Sequence, residues 1–266
     1  MKVALLQYCA SQDKEANLAQ AIAMSREAIE KGAQFILLPE VFNFRGERKK
    51  ELFLQAAEKI PGPSSDAFIL LAKKYKAAFL LGSIIEKADS THAYNTSVFI
   101  DPHGEITAKY RKIHLFDARI GDKIVREKDW FREGRRPTVV KIGKFRMGLS
   151  ICYDLRFPGL YQNYAFKGVE ILAIPSCFTR KTGEAHWETL LRARAIENLS
   201  YVLAPNQVGI DARGMQAYGH SMIVSPWGEI IALGSAETEE IIFGEINMEE
   251  VKKARSILPG IVNERN

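Results

Sequence analysis

Three residue types suited to acyl transfer stand where apolar, strand-like runs end. Pro39-Glu40 follows Phe35–Leu38, Tyr110-Arg111-Lys112 closes a hairpin strand, and Cys152-Tyr153-Asp154 follows Met147–Ile151. Sheets of α/β proteins place reactive groups at such carboxyl ends. A cysteine nucleophile needs a base to take its proton, or a positive neighbour to stabilise the thiolate. The oxyanion formed by attack on a carbonyl needs positive charge or N–H donors beside it. Glu, Lys and Cys together meet those needs without a histidine. Singly, each has a plainer reading. Free cysteine packs as a small hydrophobe, and Cys9 and Cys177 also sit just past apolar strands. Lone glutamates and lysines are ordinarily solvated. Residue type and position leave both readings open.

The elements that must position these groups alternate along the chain. Strands are expected at Lys2–Tyr8, Phe35–Leu38, Phe79–Ile85, within Tyr94–Tyr110 and Val139–Ile151, and at Ile171–Ile174. Helices are expected at Asp13–Lys31, where Asp13 caps and Gly32 stops, at Ser65–Tyr75, at Gly159–Lys167 and at His186–Asn198. Further strands are expected at Tyr201–Ala204, Gly219–Val224, Glu229–Leu233 and Glu240–Ile246. Runs such as Ile171-Leu172-Ala173-Ile174 are apolar without alternation, as in strands covered on both faces. A weak repeat joins Lys31–Pro39 to Lys167–Pro175, and Ser97–Ala108 to Ser221–Ala232, in the same order. This predicts an α/β unit of two related halves, with two sheets face to face and helices outside. No linker separates them, so residues 1–266 are expected to form one domain.

Composition narrows the class. Of 266 residues, 47% are hydrophobic and 26% charged, which fits a globular chain with a large core. No apolar run approaches the ~20 residues of a spanning helix, and the opening residues lack a signal peptide's pattern. Membrane and secreted roles are thus not expected. Three cysteines without C-x-x-C spacing argue for reduced thiols and a cytoplasmic setting. The five histidines show no ligand spacing, so no metal site is expected. The net charge of +5 suits an anionic small substrate as well as nucleic acid.

Three segments carry a resemblance to the nitrilase superfamily of carbon–nitrogen hydrolases, in the branch of Nit-type amidases. They are Leu37-Leu38-Pro39-Glu40, Tyr110-Arg111-Lys112-Ile113-His114-Leu115-Phe116-Asp117 and Cys152-Tyr153-Asp154-Leu155-Arg156-Phe157-Pro158. Gly183–Glu188, Leu191–Glu197 and Tyr218–Met222 before Pro226-Trp227-Gly228 extend it over the chain. The resemblance implies an α-β-β-α sandwich of two mixed sheets with flanking helices. It implies Cys152 as nucleophile, Glu40 as general base and Lys112 as electrostatic stabiliser, with the Tyr153 backbone N–H completing the oxyanion site. Glu127 matches a second family glutamate by its spacing after Lys112, although the Pro-Gly usual in that loop is replaced by Gly121-Asp122. No metal or organic cofactor is implied. Gly159 stands where the family usually has Glu, a change expected to bear on local support or pocket shape.

The expected reaction converts a small carboxylate-bearing amide to acid and ammonia through a cysteine thioester. Tyr218–Met222 and Gln207-Val208-Gly209 resemble amidases of deaminated glutathione most, with ω-amidases of α-ketoglutaramate as the alternative. The stretch Val208–Gln216 departs from both patterns. Arg156 is a candidate for the substrate carboxylate, with a buried salt bridge as the plainer role. Arg180 and Lys181, in a loop after Cys177, are candidates for charge at the pocket mouth. His186 and Trp187 are expected to begin a helix and pack beneath the site, and Arg194 and Glu197 to pair on one helical face. A rival from another class is a non-catalytic basic binding protein resting on Arg132–Arg136, without any nucleic-acid motif beside it. The family resemblance further implies a homodimer, with neither nucleic acid nor membrane as partner.

Overall fold

The computed structural model describes residues 1–47, 49–120 and 123–260. The first half of the chain runs β1 (Lys2–Gln7), α1 (Lys14–Glu30), β2 (Phe35–Leu37), α2 (Lys50–Ala56), α3 (Pro63–Tyr75), β3 (Ala78–Lys87), β4 (Ala93–Ile100) and β5 (Ile106–Arg111). A small hairpin follows, β6 (Asp117–Ile120) with β7 (Lys123–Arg126). The second half runs β8 (Thr138–Ile142), β9 (Phe145–Leu149), α4 (Pro158–Phe166), β10 (Ile171–Ala173), α5 (Arg180–Asn198) and β11 (Tyr201–Ala204). It ends with β12 (Val208–Ile210), β13 (Gln216–Tyr218), β14 (Met222–Val224), β15 (Ile230–Leu233), β16 (Glu240–Glu245) and α6 (Met248–Ile257).

Two six-stranded mixed sheets result, ordered β16-β1-β2-β3-β4-β5 and β15-β14-β11-β10-β9-β8. In each, three neighbouring strands are parallel (β1-β2-β3 and β9-β10-β11) and the others antiparallel. The repeat seen in the sequence is therefore structural: β2 matches β10 and the β4-β5 hairpin matches β14-β15. The edge strand of the first sheet, β16, comes from the far end of the chain and pairs with β1 from Lys2↔Glu245 to Gln7↔Glu240.

Strand alternation builds the layers. Val3 and Leu5 of β1, Phe35 and Leu37 of β2 and Leu80 of β3 face the second sheet, in one cluster with Met147, Leu149, Ile171 and Ile223. Ala4, Leu6, Ile36, Phe79 and Leu81 face outward against Ala21 and Ala28 of α1 and Phe68, Leu71 and Ala72 of α3. On the other side α4 and α5 bury Tyr161, Tyr164, Trp187, Leu191 and Ala195. The order helix, sheet, sheet, helix is the α-β-β-α sandwich expected.

α3 starts two residues before its expected Ser65, at Pro63, and α5 departs further from its expected bounds. α5 starts at Arg180, six residues before His186, because the Thr179 side chain accepts the Thr182 N–H and caps it. Gly183 sits inside this helix because a Cβ there would lie 2.2 Å from the Tyr218 ring. No helix among the described residues is long and apolar enough to cross a membrane.

Candidate active site

The three strand ends singled out in the sequence meet at the floor of one cavity of about 400 Å³. Glu40 follows β2 and is only 3% exposed. The next residue, Val41, holds φ at 47°, a conformation costly for a β-branched side chain. That turn is held by the Val41 N–H donating to Ser83 Oγ (2.8 Å). Gly82 lets β3 approach, since a Cβ there would lie 1.9 Å from the Leu38 carbonyl oxygen. Cys152, just past β9, also has positive φ (49°), and its N–H donates to the Pro175 carbonyl (2.9 Å). It opens a short 3-10 turn, Cys152–Arg156. The first N–H groups of such a turn lack internal partners. That of Tyr153 has no acceptor among the described residues.

Lys112, directly after β5, is 1% exposed. Its ammonium donates to Glu40 Oε1 (2.8 Å) and lies 2.9 and 3.1 Å from the two Glu127 oxygens. Glu40 is held on its other sides by Asn95 Nδ2 on Oε1 (2.9 Å) and the Cys177 N–H on Oε2 (3.0 Å). Glu127 Oε2 also accepts the Phe116 N–H (2.8 Å). All four predicted groups, Glu40, Lys112, Cys152 and Glu127, are thus brought together. The Gly121-Asp122 departure lies outside the described residues.

These contacts set opposite protonation tendencies. Burial pushes Glu40 upward, but the Lys112 charge and hydrogen bond, with the neighbouring Cys152 thiol, outweigh it and hold Glu40 below its ordinary range. Glu127 is raised, by burial first and by the Glu40 charge. The Cys152 thiol is held well above its usual value by burial and the adjacent Glu40 carboxylate, against the opposing pull of Lys112. Lys112 stays charged because Glu127 and Glu40 overcome its burial. The resting site is therefore a protonated thiol beside an ionised carboxylate and an ammonium. Such a trio can move a proton, attack a carbonyl carbon and stabilise the oxyanion.

One carboxylate locks two of the motifs together. Asp154, fully buried, accepts from Tyr110 Oη (2.7 Å), the Ile151 N–H (2.9 Å) and the His114 N–H (3.0 Å), with His114 Nδ1 2.7 Å away. The Lys112 segment is thereby registered against the Cys152–Arg156 turn. Arg194 pairs with Glu197 as its spacing predicts, and also donates to the Leu155 carbonyl (2.8 and 3.1 Å), bracing that turn from α5. Trp187 packs beneath the site as expected, its ring 4.7 Å from that of Phe178 and its Nε1–H on the His220 carbonyl.

The remaining predicted residues divide. Arg156 lines the cavity, 3.2 Å from His186 Nδ1, and no carboxylate among the described residues pairs with it, so the buried salt bridge is not formed. Arg180 is not in a loop: it opens α5, is half exposed, pairs with Glu184 (2.9 Å) and does not line the cavity. Gly159 follows the first residue of α4 with open space around it and does not shape the pocket. Asn95, Arg45, Arg213 and the aromatic wall of Phe44, Phe53, Trp130 and Phe131 are site features that sequence reasoning missed. Among the described residues no cluster of His, Cys, Asp or Glu could hold a metal ion.

The carbon-nitrogen hydrolase family model matches residues 2–256. Omega-amidase NIT2 of Xenopus tropicalis is 39% identical over 259 residues, covering 97% of this chain and 92% of the relative. The crystal structure of Saccharomyces cerevisiae Nit3, a member of branch 10 of the nitrilase superfamily, matches with a TM-score of 0.87 and 33% identity, over 98% of this chain and 94% of that one. An amidase from Nesterenkonia sp. AN1, in a Glu-to-Gln mutant with acrylamide joined to the active-site cysteine by Michael addition, matches with a TM-score of 0.81 and 25% identity, over 97% and 98% of the two chains.

Proposed function

The chain belongs to the carbon-nitrogen hydrolase family and is a hydrolase acting on amides; within that class we propose an amidase that cleaves a short carboxylate-bearing ω-amide through a thioester on Cys152. The observation that carries this reading is the Glu40–Lys112 pair lining the same cavity as Cys152. Glu40 takes the thiol proton as Cys152 attacks the amide carbon. Lys112 and the Tyr153 N–H receive the developing oxyanion. Glu40 returns the proton to the nitrogen, the C–N bond breaks, and ammonia or an amine departs. Water, deprotonated by Glu40, then attacks the thioester, releases the carboxylic acid and restores the thiol. Glu127 holds the ammonium of Lys112 in place.

Arg156, unpaired with any described carboxylate and set four residues after the nucleophile, suits the carboxylate of the acyl arm. The omega-amidase relatives favour α-ketoglutaramate as substrate. Deaminated glutathione is a second reading, favoured by room: about 400 Å³ is the volume of roughly thirteen liquid waters, more than a small ω-amide of about ten heavy atoms fills. With that substrate the nitrogen leaves as a dipeptide amine, not as ammonia. A cytoplasmic setting and a homodimer belong to the same proposal; light scattering should then give twice the 29.9 kDa chain mass.

The test is turnover of both compounds with product analysis, together with intact mass of the protein. An acyl adduct on Cys152 is expected in Glu40→Gln, with turnover in Cys152→Ala reduced at least ~10³-fold. Hydrolysis that survives Cys152→Ala would sink the mechanism.

A further inference from the structure

Asn95, in β4, is fully buried and does not line the cavity, yet it holds both members of the ion pair at the cavity floor. Its Nδ2 donates to Glu40 Oε1 (2.9 Å), and its backbone carbonyl accepts the Lys112 N–H (2.9 Å). The carboxamide can face Glu40 in one sense only. An ionised carboxylate accepts and does not donate, so the atom turned toward it must be the nitrogen. The other end, Oδ1, is buried without a donor among the described residues. Leaving it so costs stability, and turning the group over would set oxygen against the carboxylate.

The donors on Glu40 are unevenly shared. Oε1 accepts from Lys112 Nζ (2.8 Å) and from Asn95, two donors for the two lone pairs of a carboxylate oxygen. Oε2 accepts only the Cys177 N–H (3.0 Å) among the described residues, which leaves one lone pair for a proton. A proton on Oε1 would have to displace the ammonium or the carboxamide. A proton on Oε2 displaces neither, and the Cys152 thiol neighbours the same carboxylate.

We infer that Asn95 is a positioning residue of the base: with Lys112 it occupies Glu40 Oε1, so that every proton of the reaction passes through Oε2. This rests on the amidase reading above and deepens it. Oε2 takes the proton from sulfur as the S–C bond forms and gives it to nitrogen as the C–N bond breaks. It then takes a proton from water as the oxygen joins the thioester carbon, and returns it to sulfur as the S–C bond breaks. The Asn95 side chain acts only through Glu40.

The test removes the donor and keeps the bulk. Asn95→Leu frees a lone pair on Oε1 and withdraws a hydrogen bond from the ionised carboxylate, which favours its protonation. The acid limb of kcat/KM, measured with α-ketoglutaramate and deaminated glutathione, is expected to rise by about one to two pH units, the range for a lost charge-assisted hydrogen bond. At neutral pH kcat should fall at least ~10-fold, while KM stays within about twofold because Asn95 lies outside the cavity. Asn95→Asp sets a second carboxyl against Oε1 and should move the limb further, since two carboxyls at one site keep a proton between them. Should Asn95→Leu fail to fold by circular dichroism, Asn95→Asp, of the same shape, carries the test. Infrared titration of the Glu40 carboxyl, identified by its loss in Glu40→Gln, should show the same shift without turnover. An unmoved acid limb and carboxyl titration in folded variants, or an effect confined to KM or stability, overturns the inference. A shifted carboxyl titration in a protein that hydrolyses neither compound supports the role of Asn95 on Glu40 and overturns the amidase reading alone.

Discussion

Burial and the Glu40 carboxylate, against the pull of the Lys112 ammonium, set the protonation of the neighbouring sulfur. Because burial and Glu40 hold the thiol well above its ordinary value, Cys152 keeps its proton at neutral pH and, in the proposed reaction, loses it only on attack. Alkylation of the substrate-free protein by iodoacetamide should therefore accelerate only above about pH 8.5, the ordinary cysteine value. Glu40→Gln, which removes a negative neighbour, should move that rise to lower pH. An inflection near pH 6 in the wild type would mean a thiolate at rest and contradict this account. The acid side follows from Glu40. Its carboxyl is depressed, so the base stays ionised, and its stabilising contacts persist, down to pH values below the ordinary glutamate range of about 4.3. As pH falls through the folded value, kcat/KM and that part of the stability should be lost together. Glu127 acts in the opposite sense: its raised value means its contribution is present at low pH and fades as pH rises through it.

At the scale of elements, strand ends do the positioning and Asp154 ties them. Asp154→Ala would leave Tyr110 Oη and the Ile151 and His114 N–H groups without their acceptor in a buried setting. Urea denaturation should show a loss of about 2–4 kcal/mol, with kcat falling as Lys112 and Cys152 lose registry. Unchanged stability would show that the turn is held by other contacts. These ends were legible in the sequence because each is an apolar run with an abrupt polar stop, at Pro39-Glu40, Arg111-Lys112 and Cys152-Tyr153. Arg45 and Arg213 were not, because their meaning comes from Asp211, 166 residues from Arg45 in sequence. The same holds for α2, which rests on tertiary contacts of Phe53 with Trp130 and Phe131. The start of α5 was hidden by Lys181-Thr182-Gly183, a turn-like triplet whose glycine is dictated by Tyr218. α6 has a readable signal in its Asn247 cap and the Val251 and Ala254 spacing, but a pattern of strands ending at Ile246 leaves no place for it.

At the scale of the whole molecule, the two sheets are related in design and dependent in assembly. β16, drawn from residues 240–245, completes the sheet begun by residues 2–7, and the shared cluster between the sheets includes Leu5, Leu37, Met147 and Ile223. Neither half should fold alone. Fluorescence and near-ultraviolet circular dichroism are expected to report one coincident unfolding transition, and a fragment of residues 1–137 should lack a cooperative one. Two resolved transitions would show that the halves are independent. The repeat was visible in the sequence, whereas the crossing of β16 was not, since strand pairing over such a distance leaves no local trace.

The contact between Glu40 and Cys177 spans the seam between the two sheets, whereas that between Cys152 and Pro175 lies within the second. Synthesised from the amino end, the chain carries Glu40 and Lys112 before Cys152 and Cys177 exist, so the floor of the cavity waits on strands of the second sheet. The cavity is therefore a property of the two sheets joined, absent from either taken singly.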